Sequence, residues 1–119
     1  MAALFDGPWW ERVVVAWNSS PVKARLAGFG AARFVVADGQ GDVVVEWGID
    51  GMATRCEAPP SGCPVFTATA VHWVQFVSGD FTAAAGVLSG KIHFQGSIRT
   101  LLPYTLAFNE LAKVARPFV

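Results

Sequence analysis

The stretch "ARFVVADGQGDVVVEW", residues 32–47, decides how the chain is read. Two valine-rich runs flank the tetrapeptide "DGQG". β-Branched side chains are stiff in a helix and pack well on a pleated sheet. Aspartate beside glycine is turn chemistry. The segment is therefore predicted to be a β-hairpin. Alternation along a strand puts Phe34 and Val36 on one face of the first run. It puts Val43, Val45 and Trp47 on one face of the second.

Working outward toward the C-terminus, "GIDG" at 48–51 reads as another tight turn and "MATRCE" as a third strand. The loop "APPSGCP" leads to a fourth strand, "VFTAT". Helical spacing returns at Ala70, where Trp73 shares a face with Phe76 or Val77 and Gly79 terminates the run. Asp80 is expected to cap a short helix in "FTAAAGVL". "KIHFQ", bounded by Gly90 and Gly96, reads as a fifth strand. Ser97 opens a last helix predicted to run to about Arg116. Its apolar stripe is Leu101, Tyr104, Phe108, Leu111 and Ala115, with Leu102 and Leu106 widening it. Pro103 should kink this helix, because it removes a backbone donor and clashes one turn back. The helix is either packed flat on the sheet or a lid over a cavity.

Toward the N-terminus, Pro8 suits a first helical turn after Asp6 or Gly7. Trp10, Val13, Val14 and Trp17 recur on one face. "NSSP" ends that helix and starts a short second one, with Ser20 as N-cap and Pro21 as its first residue. "GFG" at 28–30 closes it. The order of elements indicates an α+β fold: a five-stranded, mostly antiparallel sheet covered on one face by helices. A length of 119 residues fits one domain over 1–119, with a helical part at 1–28 and the sheet and later helices at 29–119.

The composition is unusually apolar. The chain is 53% hydrophobic before its 12 glycines are counted, where about 45–50% with glycine included is typical. Charged residues are 15%. So small a body cannot hide such a surplus in a plain core, so an interface, an exposed patch or a cavity lining is expected. Nine basic and nine acidic residues leave no net charge and no basic cluster. Nucleic acid is therefore not an expected partner, and neither is an anionic membrane surface. The start "MAALFDGPWW" lacks the pattern of a secretory leader. The uncharged run 58–79 is broken by prolines and polar residues, so stable membrane insertion is not expected. A cytoplasmic location is the default.

No catalytic constellation emerges. His72 and His93 are the two side chains that titrate near neutrality, and a lone histidine is more often structural than a base. No serine sits in a nucleophile elbow. Histidines and cysteines are too scattered for a metal site, and "GFGAAR" precedes a strand rather than the helix a dinucleotide site needs. No metal, cofactor or catalytic residue is expected. Cys56 and Cys63 are read as reduced thiols, with a disulfide across their loop as the alternative.

From Phe29 onward the order of motifs resembles a sterol-carrier-protein, or nonspecific lipid-transfer-protein, domain. The matching features are the strand–"DGQG"–strand unit, then Trp73, Phe76 and Gly79 in a "W-x-x-F-x-x-G" helix, then "D-F-x-x-A". After these comes "SGKIHFQG", similar to the family's "F-x-x-GKLKIxGD", and a leucine-rich end carrying "LLPY". Ser97 stands where the family often has aspartate, and Val87 where an aromatic is frequent. The resemblance implies an apolar tunnel between sheet and helices that holds a fatty acyl chain, an acyl-CoA or a sterol. Transfer of such a ligand needs no catalytic group. Burying a sixteen-carbon chain supplies on the order of 10 kcal/mol before ordering costs.

On that reading the sheet contributes Phe34, Val36, Val45, Trp47 and Phe94 to the lining. The middle helices contribute Trp73, Phe76 and Phe81, and the last helix Leu102, Leu106 and Phe108. Each taken alone is more often ordinary core than ligand contact. The alternative is a noncatalytic accessory domain that dimerises or shields the substrate of a partner enzyme, with a homodimer interface absorbing Trp9, Trp10 and Trp17.

Overall fold

The computed structural model describes residues 5–58 and 60–119. Pro59, in the loop expected between the third and fourth strands, and residues 1–4 at the expected N-terminal start lie outside the described residues. Helix α1 spans Gly7–Asn18, and the Asp6 carboxylate accepts from the Trp9 amide at 3.0 Å. That bond satisfies one of the helix's otherwise orphaned donors. Asp6→Ala should therefore cost about 1 kcal/mol, near 4 °C in Tm, measurable by thermal denaturation. A single 3-10 segment, Pro21–Leu26, follows with Ser20 as its cap, as its sequence predicts.

The hairpin forms as expected. Strand β1, Gly30–Val36, runs antiparallel to β2, Asp42–Trp47, with Phe34 opposite Val43 and Ala32 opposite Val45. The "DGQG" glycines serve a close approach: a Cβ on Gly41 would meet Val36 Cγ2 at 2.7 Å and the Phe5 carbonyl oxygen at 2.9 Å. Strand β3, Ala53–Cys56, pairs antiparallel with β2. Strand β4, Val65–Ala68, lies parallel to β1 and antiparallel to β5, His93–Gln95. The sheet order is β3-β2-β1-β4-β5. The outer edge of β3 is not left bare. Asn18 at the end of α1 donates to the Ala53 carbonyl at 2.9 Å and accepts from the Ala53 amide at 2.6 Å, blunting an otherwise open template for strand pairing.

Helix α2, Ala70–Ser78, is capped by Thr69 and ends at Gly79. Helix α3, Ala83–Leu88, is capped by Thr82, not by Asp80: the Thr82 hydroxyl accepts from the Ala85 amide at 3.2 Å. The helix starts later than expected, so Asp80 falls two residues short of the cap position. The C-terminal helix is more than kinked at Pro103. It divides into α4, Ile98–Leu101, a 3-10 turn at Leu102–Tyr104, and α5, Thr105–Ala115, with a final 3-10 turn at Arg116–Phe118. Proline tolerates the start of a helical segment and not its interior.

One face of the sheet carries Ala32, Phe34, Val36, Val43, Val45, Trp47 and Phe66, all buried in one cluster with residues of α1, α2 and α5. The opposite face carries Arg33, Asp42, Glu46 and Thr54 together with the buried Val44. Trp17, Trp47, Leu26, Val13 and Val45 are the most deeply buried large side chains. Trp9, Trp10 and Trp17 belong to this core, so they are not available to a dimer interface.

Candidate functional site

The inner face of the sheet and the helices above it enclose a continuous aromatic interior. Phe34 lies at its centre. Its ring is stacked on Phe66 at 5.4 Å between centroids and on Trp10 at 4.9 Å, and it meets Trp73 edge-on at 6.1 Å. Phe108, from α5, closes over Phe66 at 5.2 Å and over Phe29 at 5.3 Å. Its neighbour on the same helix face, Tyr104, covers Phe29 at 4.7 Å.

Two apolar voids remain inside, of about 20 and 30 Å³. The smaller lies toward β4, α3 and Leu101 and is bordered by Phe66, Ala83, Val87 and Ile92. The larger lies toward α1 and is bordered by Phe5, Trp9, Trp10 and Leu111. Phe34, Trp73, Phe76 and Phe108 border both. Each void has about the volume of one water molecule. The four shared aromatic side chains thus occupy the middle of the region in which the sequence places a tunnel.

The eleven residues expected to line the site divide into three groups. Phe34, Trp73, Phe76 and Phe108 converge at the voids. Val36, Val45 and Trp47 are buried beside them, while Phe81 and Phe94 are half-buried at the margin of the same cluster. Leu102 and Leu106 do not join them. They are 61% and 69% exposed. Of the stripe, Leu101, Phe108, Leu111 and Ala115 are buried and Tyr104 is half-buried, and Ala107 and Ala112 widen it instead. Sequence reasoning also passed over Phe66 and Leu101 as lining residues. Phe66 is paired directly across from Phe34 and from Phe94, so period-two alternation on the fourth strand could have found it.

Among the described residues, none that is buried is charged or polar by residue type. The interior's polar atoms are indole nitrogens and backbone. Trp9 donates to the Phe118 carbonyl, Trp17 to that of Gly51 and Trp73 to that of Val35, each at 2.9 Å. The indole N–H groups of Trp10 and Trp47 are buried without a partner among the described residues.

Charge is confined to the surface. A surface concavity of about 550 Å³ is lined by Glu11, Arg33, Asp42, Arg55 and Glu57 together with Val43, Val44 and Cys56. Two of its charge pairs are consumed internally: Arg33 with Asp42, and Arg55 with Glu11 at 2.8 Å. The hydrogen bonds from Arg33 hold the Asp42 carboxyl below the usual carboxylate range, and Asp42 raises Arg33 in return. A carboxylate whose folded pKa is lowered contributes stability above the unfolded value, near pH 4, and loses it as pH falls through the folded value. The two side chains are 39% and 44% exposed, so solvent screens the pair. Asp42→Asn should lower Tm by less than about 3 °C at neutral pH, with the difference from the parent shrinking in thermal melts as pH falls below about 4.

His72 is half-buried and His93 exposed, on separate elements. No cluster of metal-binding side chains occurs among the described residues. Cys56 and Cys63 are both free thiols, half-buried. No helix among the described residues is long and apolar enough to cross a membrane.

The sequence matches no family model and no curated protein. Its three-dimensional form is similar to several solved structures. A crystal structure of sterol carrier protein 2 superposes with a TM-score of 0.79 at 23% identity, covering 96% of this chain and 98% of the other. A conserved hypothetical protein of Thermus thermophilus, described as possibly a sterol carrier protein, gives 0.77 at 22% identity over 98% and 90% of the two chains. A sec-alkylsulfatase from Pseudomonas gives 0.56 at 14% identity, where 71% of this chain matches 14% of the enzyme. At these levels of structural similarity the chain has the sterol carrier protein 2 fold.

Proposed function

We propose that this protein binds apolar lipids between its sheet and its helices and carries them through the cytoplasm without chemical change, with a fatty acyl chain, an acyl-CoA or a sterol as ligand. The observation that carries this reading is the interior itself: an aromatic cavity wall with two residual voids and no buried charged residue among those described. The likeness in fold to a crystal structure of sterol carrier protein 2 supports it. A lipid needs far more room than the voids offer, since ligand sites occupy about 300–1,000 Å³. Binding therefore goes with an outward shift of α5, and the break at Leu102–Tyr104 is the hinge on which it turns. The guest then takes the space now filled by Phe34, Phe76 and Phe108.

The test is displacement of a fluorescent fatty acid from organically extracted protein, with native mass spectrometry of freshly purified material. Saturable displacement and a co-purified lipid are expected. The absence of both a bound lipid and any displacement, with thermal stability unchanged by extraction, would overturn the reading.

A second reading has its own support. In the alkylsulfatase this fold is a small part of a larger enzyme, and Leu102 and Leu106 lie one turn apart on an exposed surface. An accessory domain docking through those leucines would form a stable dimer or a complex with a separate enzyme. A monomeric mass in solution, together with lipid displacement, decides against it.

A further inference from the structure

We propose that the buried part of the ligand carries a neutral, acceptor-only oxygen, as in a ketone, quinone, ester or thioester, and that the indole N–H groups of Trp10 and Trp47 bind it. This deepens the lipid-carrier reading and rests on it.

The argument starts from a contrast among five tryptophans. Three send their N–H to a backbone carbonyl at 2.9 Å. Trp10 and Trp47 are as deeply buried, at 7% and 1% exposure, and send theirs to no acceptor among the described residues. A buried donor left unpaired is costly, and native proteins keep few of them. These two are not scattered. Trp10 stacks on Phe34 at 4.9 Å and borders the larger void. Trp47 meets Phe34 at 6.2 Å and Phe108 at 6.3 Å. Both indoles therefore pack against Phe34, one of the rings a guest must displace.

The chemistry of the two groups selects the partner. An indole N–H only donates, so the complement is an acceptor. A carboxylate or phosphate would accept, but no described buried residue carries a compensating charge, and an unpaired buried ion is strongly disfavoured. Ionic headgroups must stay outside. A hydroxyl would accept but would bring its own proton, and the side chains bordering the voids offer it no oxygen. A carbonyl oxygen accepts two N–H bonds and brings no donor.

The experiment compares methyl tridecyl ketone with pentadecane, two probes of nearly equal shape, in displacement of a fluorescent fatty acid. Each is measured on the parent protein and on W10F, W47F and the double variant. Taking the ratio of the two affinities cancels hydrophobic transfer and any change in cavity size. The ratio should fall about tenfold in the double variant, the effect expected for losing paired buried donors. In the parent protein, proton–nitrogen NMR should show the Trp10 and Trp47 indole signals moving downfield with the ketone and not with the alkane, while the three paired indoles stay in place. That measurement holds even if a variant fails to fold. An unchanged ratio, or indole signals indifferent to the ketone, overturns this inference and leaves lipid binding intact. Failure of both probes to bind, with no displacement by any fatty acid, overturns both.

Discussion

Replacing Gly51 with alanine is expected to lower stability by about 3 kcal/mol or more, a fall in Tm of roughly 10 °C or greater, with lipid binding lost at physiological temperature as the folded fraction declines. Two effects add. Gly51 has φ of +82°, in the left-handed region where a Cβ is strained. A Cβ built there would also lie 1.8 Å from the Lys23 carbonyl oxygen and 2.5 Å from its carbon. Those atoms are backbone, so no side-chain rotation relieves the overlap, and either the 3-10 segment or the turn must move. The turn is also where α1 is anchored: the Gly51 carbonyl accepts from the Trp17 indole at 2.9 Å, and Asn18 grips Ala53 two residues on. Thermal and urea denaturation of G51A measure the cost. A Tm within 3 °C of the parent would mean that the contact between turn and 3-10 segment contributes little to the fold.

The same turn shows what can be read from a sequence and what cannot. "GIDG" declares a turn, because glycine and aspartate are the residues that adopt one cheaply. It does not declare which glycine is squeezed against Lys23, since that depends on a segment about 28 residues away. The hairpin glycines were legible for a related but different reason. "DGQG" declared a hairpin turn, yet Gly41 is required by the nearness of Val36 and Phe5. Five strands and their partition between an apolar and a polar face followed from valine content and alternation. The parallel pairing of β1 with β4 did not, because pairing of nonconsecutive strands leaves no local mark.

The apolar interior was legible in part. Phe34, Trp73, Phe76 and Phe108 stand on faces that periodicity identifies, and they meet at the voids. Leu102 and Leu106 were misassigned although the signal was available. At about 100° per residue, Leu106 lies nearly opposite Phe108 on a helical wheel, and counting leucines overrode that angle. The state of the tunnel was beyond reach. The apolar surplus is the same whether rings fill the interior or line it, so composition cannot distinguish a closed site from an open one. Nor could it show that two of five indoles lack a partner, which depends on distances of a few tenths of an ångström.

Phe108→Ala separates those two states and should have the largest functional effect. Phe108 is 4% exposed, borders both voids, and is the α5 ring that covers Phe34 and Phe66. Removing a buried phenylalanine costs about 3–5 kcal/mol, more where the gap cannot collapse. Here the gap joins two existing voids, so the lipid-free variant should melt about 10–20 °C below the parent. The same change removes part of what a guest must displace. The work of opening is then done in advance, and the apparent affinity for a fluorescent fatty acid should rise about tenfold, as for any site whose competent form becomes more populated. Ligand at a hundred times Kd restores about 2.7 kcal/mol, so saturating fatty acid should recover most of the lost Tm in F108A. A variant that loses stability without gaining affinity would identify Phe108 as plain core and place the lipid elsewhere. A variant that loses stability and gains affinity fixes the guest beneath α5, because an apolar cavity made by truncation favours only a ligand that enters it.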